Sequence, residues 1–415
     1  MTVFNPIWRV KIQGVEYTTY TLSNLTITSG RNNIYQQAQA GYCNLELINL
    51  TQAIVNININ DSVSIELQDS TATYVPIFGG TVVDFGVEVI TAGSVGINQV
   101  LKITALGALS RLPKALTDGV LSQDFDGNQI YESLQDLLLN NWGEVPAALQ
   151  WQNYDPTETW ANAQNVGLGE IDRPGNYELA QRSSDRTDIY SLVSALATSG
   201  LGYIYESASG LISYADSTHR STYLATNGYT DVTANHALFN GLKIETRAGD
   251  VRNDITLKYN TNSNNEVSAE DIASIDVYGR LAQVITTTVK HTTDAQDQAD
   301  FYLTLRATPQ ANFTSITYQL TNPEIDDQDR DSLINVFMGL PLRISDLPPN
   351  MASGTFLGFV EGWSFKAAYN EIAVTLNLSP ISYSLQAMKW QDVSIAEAWN
   401  TITGGLTWET ALVVA

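Results

Sequence analysis

Short runs that alternate apolar and polar residues dominate both ends of this chain, and they restrict its fold more than any other feature. Trp8-Arg9-Val10-Lys11-Ile12, Ser62-Val63-Ser64-Ile65-Glu66-Leu67 and Leu101-Lys102-Ile103-Thr104 each send every second side chain to one face. Period-two alternation predicts strands with one face on a core and one in solvent. Gly14, Ser29-Gly30, Asn60-Asp61 and Gly93 punctuate the runs as turns. Short strands with frequent turns predict an antiparallel sandwich or barrel. Strands return from about His236, at Leu242–Thr246, Asp254–Tyr259, Ser315–Leu320, Leu342–Ile344, Phe356–Phe365 and Glu371–Leu378.

Between the two β-rich ends the period changes. Ile130, Leu134, Leu137 and Leu138 stand at helical spacing, with Asp126 placed upstream as a cap. Residues 142–177 are rich in Asn, Gln, Pro and Gly and read as a long surface excursion carrying Trp142, Trp151 and Trp160. Ile189, Leu192, Val193 and Leu196 predict a second amphipathic helix, with Gly200 where a left-handed cap belongs. A hairpin follows, from Gly202 to Glu206 and from Leu211 to Tyr214, turned at Ser207–Gly210. A further helix is predicted at Ala295–Arg306, its stripe formed by Ala295, Ala299, Tyr302 and Leu303.

The two ends also echo each other. Ser64–Thr104 and Leu342–Ser379 each run from an alternating strand to an aromatic with glycine (Phe78-Gly79-Gly80; Phe356-Leu357-Gly358). A Val-acid pair follows (Val83-Asp84; Val360-Glu361), then an aromatic (Phe85; Trp363) and a last strand. Two similar units per chain would give six in a trimer. The expected fold is mainly β with an α+β middle domain: two β-barrels related by an internal repeat, flanking a helix-and-hairpin domain. The expected boundaries are 1–106, 107–235 and 236–383, then a C-terminal arm at 384–415.

Charge narrows the function. The chain has 21 Lys and Arg against 44 Asp and Glu, a formal net charge of −23. Such a surface repels phosphate, which disfavours ordinary nucleic-acid binding but suits a wall past which DNA slides. No apolar run is long enough to span a bilayer, so no stable membrane insertion is expected. The single cysteine, Cys43, sits in an alternating run and reads as a buried strand residue.

The segments GRNNIYQQAQAGYCNLELIN (Gly30–Asn49), LVSALATSGLGYIYESASGLISYAD (Leu192–Asp216), MGLPLRISDLP, GTFLGFVEGWSF and EIAVTLNLSP touch all three regions. As an ordered set they resemble the minor tail, or tail hub, proteins of long-tailed phages, especially those infecting actinobacteria. The resemblance implies a homotrimer of two tube-like barrels with an α+β domain between, located in the virion at the tail tip. It implies contact with a distal tail or tail tube ring protein, with tip or fibre proteins, and with the tape-measure protein. DNA would pass through without specific binding. Many relatives carry a cleaving or fibre module after the hub; here only a short arm follows, so such a module is expected on a separate protein.

Catalytic motifs are missing from the sequence. None of His219, His236 and His291 lies in a GxSxG elbow, and phosphate-loop and dinucleotide motifs are absent. The acidic run Glu324, Asp326, Asp327, Asp329 and Asp331 fails the calcium-loop pattern because Ser332 replaces its glycine. It reads as a loop capping a short helix, Asp331–Phe337. No enzyme, cofactor or metal is expected. The residues singled out for interfaces are Trp390, Trp399 and Trp408 in the arm, as aromatic anchors on a neighbour, and Trp142, Trp151 and Trp160. The rival reading is a carbohydrate-binding adhesion protein that presents the 142–160 tryptophans to glycans; a β-rich glycoside hydrolase is the weaker third.

Overall fold

A computed structural model describes residues 4–17, 20–34, 36–50, 54–91, 98–118, 120–139, 168–238, 243–246, 248–261, 264–309, 311–349, 354–368 and 371–381. The first part contributes β1 (Trp8–Ile12), β2 (Val15–Glu16), β3 (Thr21–Gly30), β4 (Gln39–Asn49), β5 (Ser62–Gln68), β6 (Tyr74–Thr91) and β7 (Asn98–Leu106). The middle holds β8 (Leu116–Thr117), β9 (Asp124–Phe125), α1 (Asp126–Leu139), β10 (Leu168–Ile171), β11 (Glu178–Leu179), β12 (Thr187–Asp188) and α2 (Ile189–Ser199). It continues with β13 (Tyr203–Glu206), β14 (Ile212–Ala215), α3 (His219–Asn227) and β15 (Thr230–Thr233). The last part holds β16 (Lys243–Thr246), β17 (Asp254–Lys258), β18 (Glu266–Glu270), α4 (Ile272–Tyr278), β19 (Ala282–Thr286) and α5 (Thr292–Arg306). It ends with β20 (Ala311–Gln319), α6 (Asp327–Ile334), β21 (Pro341–Ser345), β22 (Phe356–Ala368) and β23 (Glu371–Pro380).

The protein is mainly β with an α+β middle, as the alternation implies. One 13-stranded sheet runs through both ends of the chain, joined where β22 pairs antiparallel with β3. Its two halves share one strand order. β3-β4-β7-β6-β5-β1 in the first corresponds to β16-β20-β23-β22-β21-β15 in the second. The outermost strands differ, since β1 is antiparallel to β5 whereas β15 is parallel to β21.

The internal echo is physical down to single residues. In the first half Thr81 and Val82 face Leu106 and Ala105; the register then skips Val83, and Asp84 faces Thr104. In the second, Phe359 and Val360 face Ser379 and Leu378, the register skips Glu361, and Gly362 faces Asn377. The two halves carry the same β-bulge at the same place. A Cβ on Gly80 would lie 2.3 Å from the Leu106 carbonyl oxygen and against the Phe78 ring; one on Gly358 would lie 2.3 Å from that of Ser379 and against Phe356. Asn60 and Gly339, both at positive φ, donate at 2.8 Å to the carbonyls of Val82 and Val360. This register corrects one detail of the sequence alignment. Glu361 matches Val83, so the two Val-acid pairs are not equivalent.

Two local expectations fail for tertiary reasons. Asp126 does not cap α1 from upstream but is its first residue; its buried carboxylate accepts from the Tyr177 N–H at 2.8 Å and from the Tyr214 hydroxyl. Gly200 has φ −85°, so the left-handed residue is the next one, Leu201 at φ 54°. A Cβ on Gly200 would meet the Asp126 carboxylate and the Tyr214 hydroxyl, so room decides that glycine. A third gives way as well: within the expected surface excursion, Leu168–Ile171 is a buried strand, β10, at the edge of a three-stranded sheet and parallel to β14.

Other elements follow their sequence signals. Asp188 caps α2 by accepting from the Ser191 N–H at 2.8 Å, and Ile189, Leu192, Val193 and Leu196 are buried. β13 and β14 form the hairpin, with Gly210 at φ +83°. Between β16 and β20, where the first half has a short β3–β4 connection, the second carries a separate unit. In it β17 is flanked by β18 and β19, and α5 packs on β17 and β18.

Candidate functional site

Three regions of the chain meet at Glu361. It is the bulged residue of β22 and is 1% exposed. Arg31, just past β3, donates from Nε to its carboxylate at 2.7 Å, and Arg220 of α3 grips the same carboxylate at 2.7 and 3.0 Å. The Ser379 hydroxyl of β23 also donates to it. The backbone locks the joint as well, because the Arg31 N–H donates to the Glu361 carbonyl at 2.8 Å. Burial alone would raise the Glu361 pKa, but the two guanidiniums and the hydrogen bonds outweigh it and hold it at about 2. The Arg220 guanidinium lies over the Tyr203 ring of β13, 4.5 Å from its centroid. The clasp therefore joins both halves of the sheet to the middle region.

A second buried glutamate docks that region on the first half. Glu206 of β13 accepts from the N–H groups of Gly41 at 2.5 Å and Leu109 at 3.0 Å. The charge of Arg111 also acts on it, but burial outweighs that charge and the backbone bonds and pushes its pKa up to about 7. Asp126, buried between α1 and β14, is likewise pushed up to about 6 by burial, against the bonds from Tyr214 and Tyr177.

Chemistry has little to work with here. A cleft of about 310 Å³ beside the clasp is lined by Arg31, Tyr203, Arg220, Val284 and Tyr302, with Asp216 its one carboxylate among the described residues. Each histidine stands beside a carboxylate on a different element: His219 with Asp172 at 2.8 Å, His236 with Asp329 at 3.6 Å, His291 with Glu178 at 2.6 Å. Among the described residues no group of three or more His, Cys, Asp and Glu side chains could hold a metal ion. Cys43 is buried in β4, and burial pushes its thiol pKa up.

The acidic run is built into structure. Asp326 caps α6 by accepting from the Asp329 N–H at 2.8 Å, and Asp327 pairs with Arg330 at 2.6 Å. Asp331 accepts from the Ser70 N–H at 3.0 Å, tying α6 to the β5–β6 turn. The acidic run does cap the helix, but from Asp326, so the helix starts at Asp327 rather than Asp331. Trp142, Trp151, Trp160, Trp390, Trp399 and Trp408 lie outside the described residues. The sequence reading missed the Glu361 clasp, whose members stand up to 330 residues apart. Its nearest signal was the Val360-Glu361 pair noted in the echo.

These features define a class: a two-repeat β protein whose halves are fused edge to edge and clamped by a middle α+β region. That fold is shared with phage tail proteins. The 43 kDa tail protein of prophage MuSo2 from Shewanella oneidensis aligns with a TM-score of 0.56 at 11% identity, over 92% of this chain and 99% of that one. The tail protein from Neisseria meningitidis MC58 aligns with a TM-score of 0.55 at 11% identity, over 92% and 98%. No protein-family model matches the chain, and no curated protein matches it in sequence.

Proposed function

We propose that this chain is a non-enzymatic structural subunit of a phage tail. Three copies form a hub at the distal end of the tail, joining the tail tube or its distal ring to tip or fibre proteins. The hub leaves a channel through which tape-measure protein and then DNA pass. One observation carries this reading: the doubled β architecture, shared over nine-tenths of the chain with two tail proteins. Two equivalent half-sheets per chain supply six similar units from three chains, which suits a ring seated on a six-fold tube. The net charge of −23 accords with a surface on which DNA does not stick.

The test is light scattering with negative-stain imaging of the purified chain, followed by antibody labelling of purified virions. A ring three times the chain mass, with label at the distal tail end, is expected. Label along the tube or on the head, or no label on virions, would overturn the assignment.

A further inference from the structure

Both long strands fork, but only one fork is filled. β22 pairs β23 along one edge; along the other it pairs first β21 and then, from Gly362 to Ala368, β3. β6 pairs β7 along one edge and β5 along the first part of the other. Among the described residues nothing pairs with the rest of that edge, from Asp84 onward. Burial records the difference. Phe365 and Ala367 are 1% and 4% exposed, whereas Val87 and Val89, at the same places in the repeat, are 50% and 52% exposed. A long unpaired strand with exposed valines is an edge that natural sheets cover or break up.

The repeat itself identifies the missing strand. In the filled fork the occupant is β3, and the counterpart of β3 is β16. β16 ends the sheet and among the described residues pairs only with β20. One chain thus presents an open fork in its first half and a matching open strand in its second. We propose that β16 of one copy pairs antiparallel with Asp84–Val87 of β6 in a neighbouring copy, repeating between chains the β22–β3 joint within each chain.

The proposal deepens the hub reading and rests on it for the number of copies. Its register follows from the internal joint. Gly362 opposite Gly30 becomes Asp84 opposite Thr246, and Ser364 opposite Thr28 becomes Gly86 opposite Ile244, which sets Val87 opposite Lys243; the bulge between β16 and β20 lies in β20, so β16 runs on without a skip. The contact is head-to-tail, so it closes a ring or grows a filament. Three copies, alternating internal and external joints, make a ring of six half-sheets.

Cysteine pairing tests the register in the full chain, since Cys43 is buried and stays out of the reaction. With Asp84→Cys and Thr246→Cys together, mild oxidation is expected to give reducible bands up to three chains and none larger. Glu88→Cys with Thr246→Cys, four positions out of register, should give none. A second variant, Val87→Lys with Val89→Lys, changes only exposed positions and is expected to reduce the trimer to monomer while leaving the circular dichroism spectrum unchanged. If the double-lysine chain still forms trimers and the in-register pair does not cross-link, the edge docking is wrong while the hub reading survives. If the unmodified chain is monomeric at every concentration and no pair cross-links, both fall.

Discussion

Glu361 and Glu206 are both buried, and both fasten the middle region to a half of the sheet, yet their pKa values move in opposite directions. Glu361 meets two guanidiniums and stays charged, held at about 2. Glu206 meets backbone N–H groups, and burial lifts it to about 7. The difference shows what a buried carboxylate needs. At Glu206 two backbone donors and the charge of Arg111 do not repay the lost hydration of a full charge, whereas at Glu361 two guanidiniums at hydrogen-bond distance do. The joint between the three regions is therefore ionic, while the dock on the first half holds a carboxyl whose pKa burial raises to about 7.

The comparison can be broken most sharply at Glu361. Replacing it with alanine strands Arg31 and Arg220 in the interior, and stability should fall by about 3–5 kcal/mol in urea or guanidinium unfolding of the full chain. A loss below about 1 kcal/mol would mean that the clasp is ornamental.

Next in size is the pH response, where the two glutamates pull in opposite directions. Glu206 has a folded pKa raised above its unfolded value, so its stabilisation is complete below about pH 4.5 and is lost as pH rises through about 7. Asp126 acts with the same sign, through about 6. Glu361 is depressed, so its stabilisation is present above about pH 4.5 and is lost as pH falls through about 2. Glu206→Gln should flatten the decline between pH 4.5 and 7 by an amount on the order of 3 kcal/mol. Melting curves across that range check this; an unchanged slope would put the proton elsewhere.

A smaller effect sharpens the equivalence of the halves. Gly80→Ala and Gly358→Ala should each cost about 1–3 kcal/mol, because each methyl would meet a carbonyl oxygen and a phenylalanine ring. Similar losses in denaturant titrations are expected; a loss in only one half would show that the shared bulge does not impose shared packing. Smallest of all is Val87→Thr. In the dissociated chain it should shift stability by less than about 0.5 kcal/mol, since Val87 is half exposed there. A larger loss in thermal melts of the monomer would mean that β6 is already covered within one chain.

Much of this protein is local, and what is local was legible. Alternation in Ser62–Leu67 or Glu371–Leu378 marks strands because each step of two returns a side chain to the same face of a pleat. The α2 stripe, the hairpin glycine at 210 and the burial of Cys43 follow from equally short-range rules. The echo between the ends also showed in the residues, although its alignment slipped by one at the bulge. Both halves carry the extra residue, so later positions such as Phe85 and Trp363 still match, and only the pairing shows that Glu361 stands with Val83 rather than Asp84.

What tertiary structure decided lies between residues far apart in the chain. Nothing near Asp126 says that Tyr177 and Tyr214 will claim its carboxylate, so the local rule made it a cap. Nothing near Gly200 says that the same carboxylate will occupy the space a side chain would need. The sequence around β16 does not announce that its partner β20 waits beyond an inserted helix-and-strand unit. Glu361, Arg31 and Arg220 carry no motif, because a charge clasp depends only on where three segments meet. Period and turn chemistry are written in neighbouring residues; pairing, burial and charge compensation arise when distant ones are brought into contact.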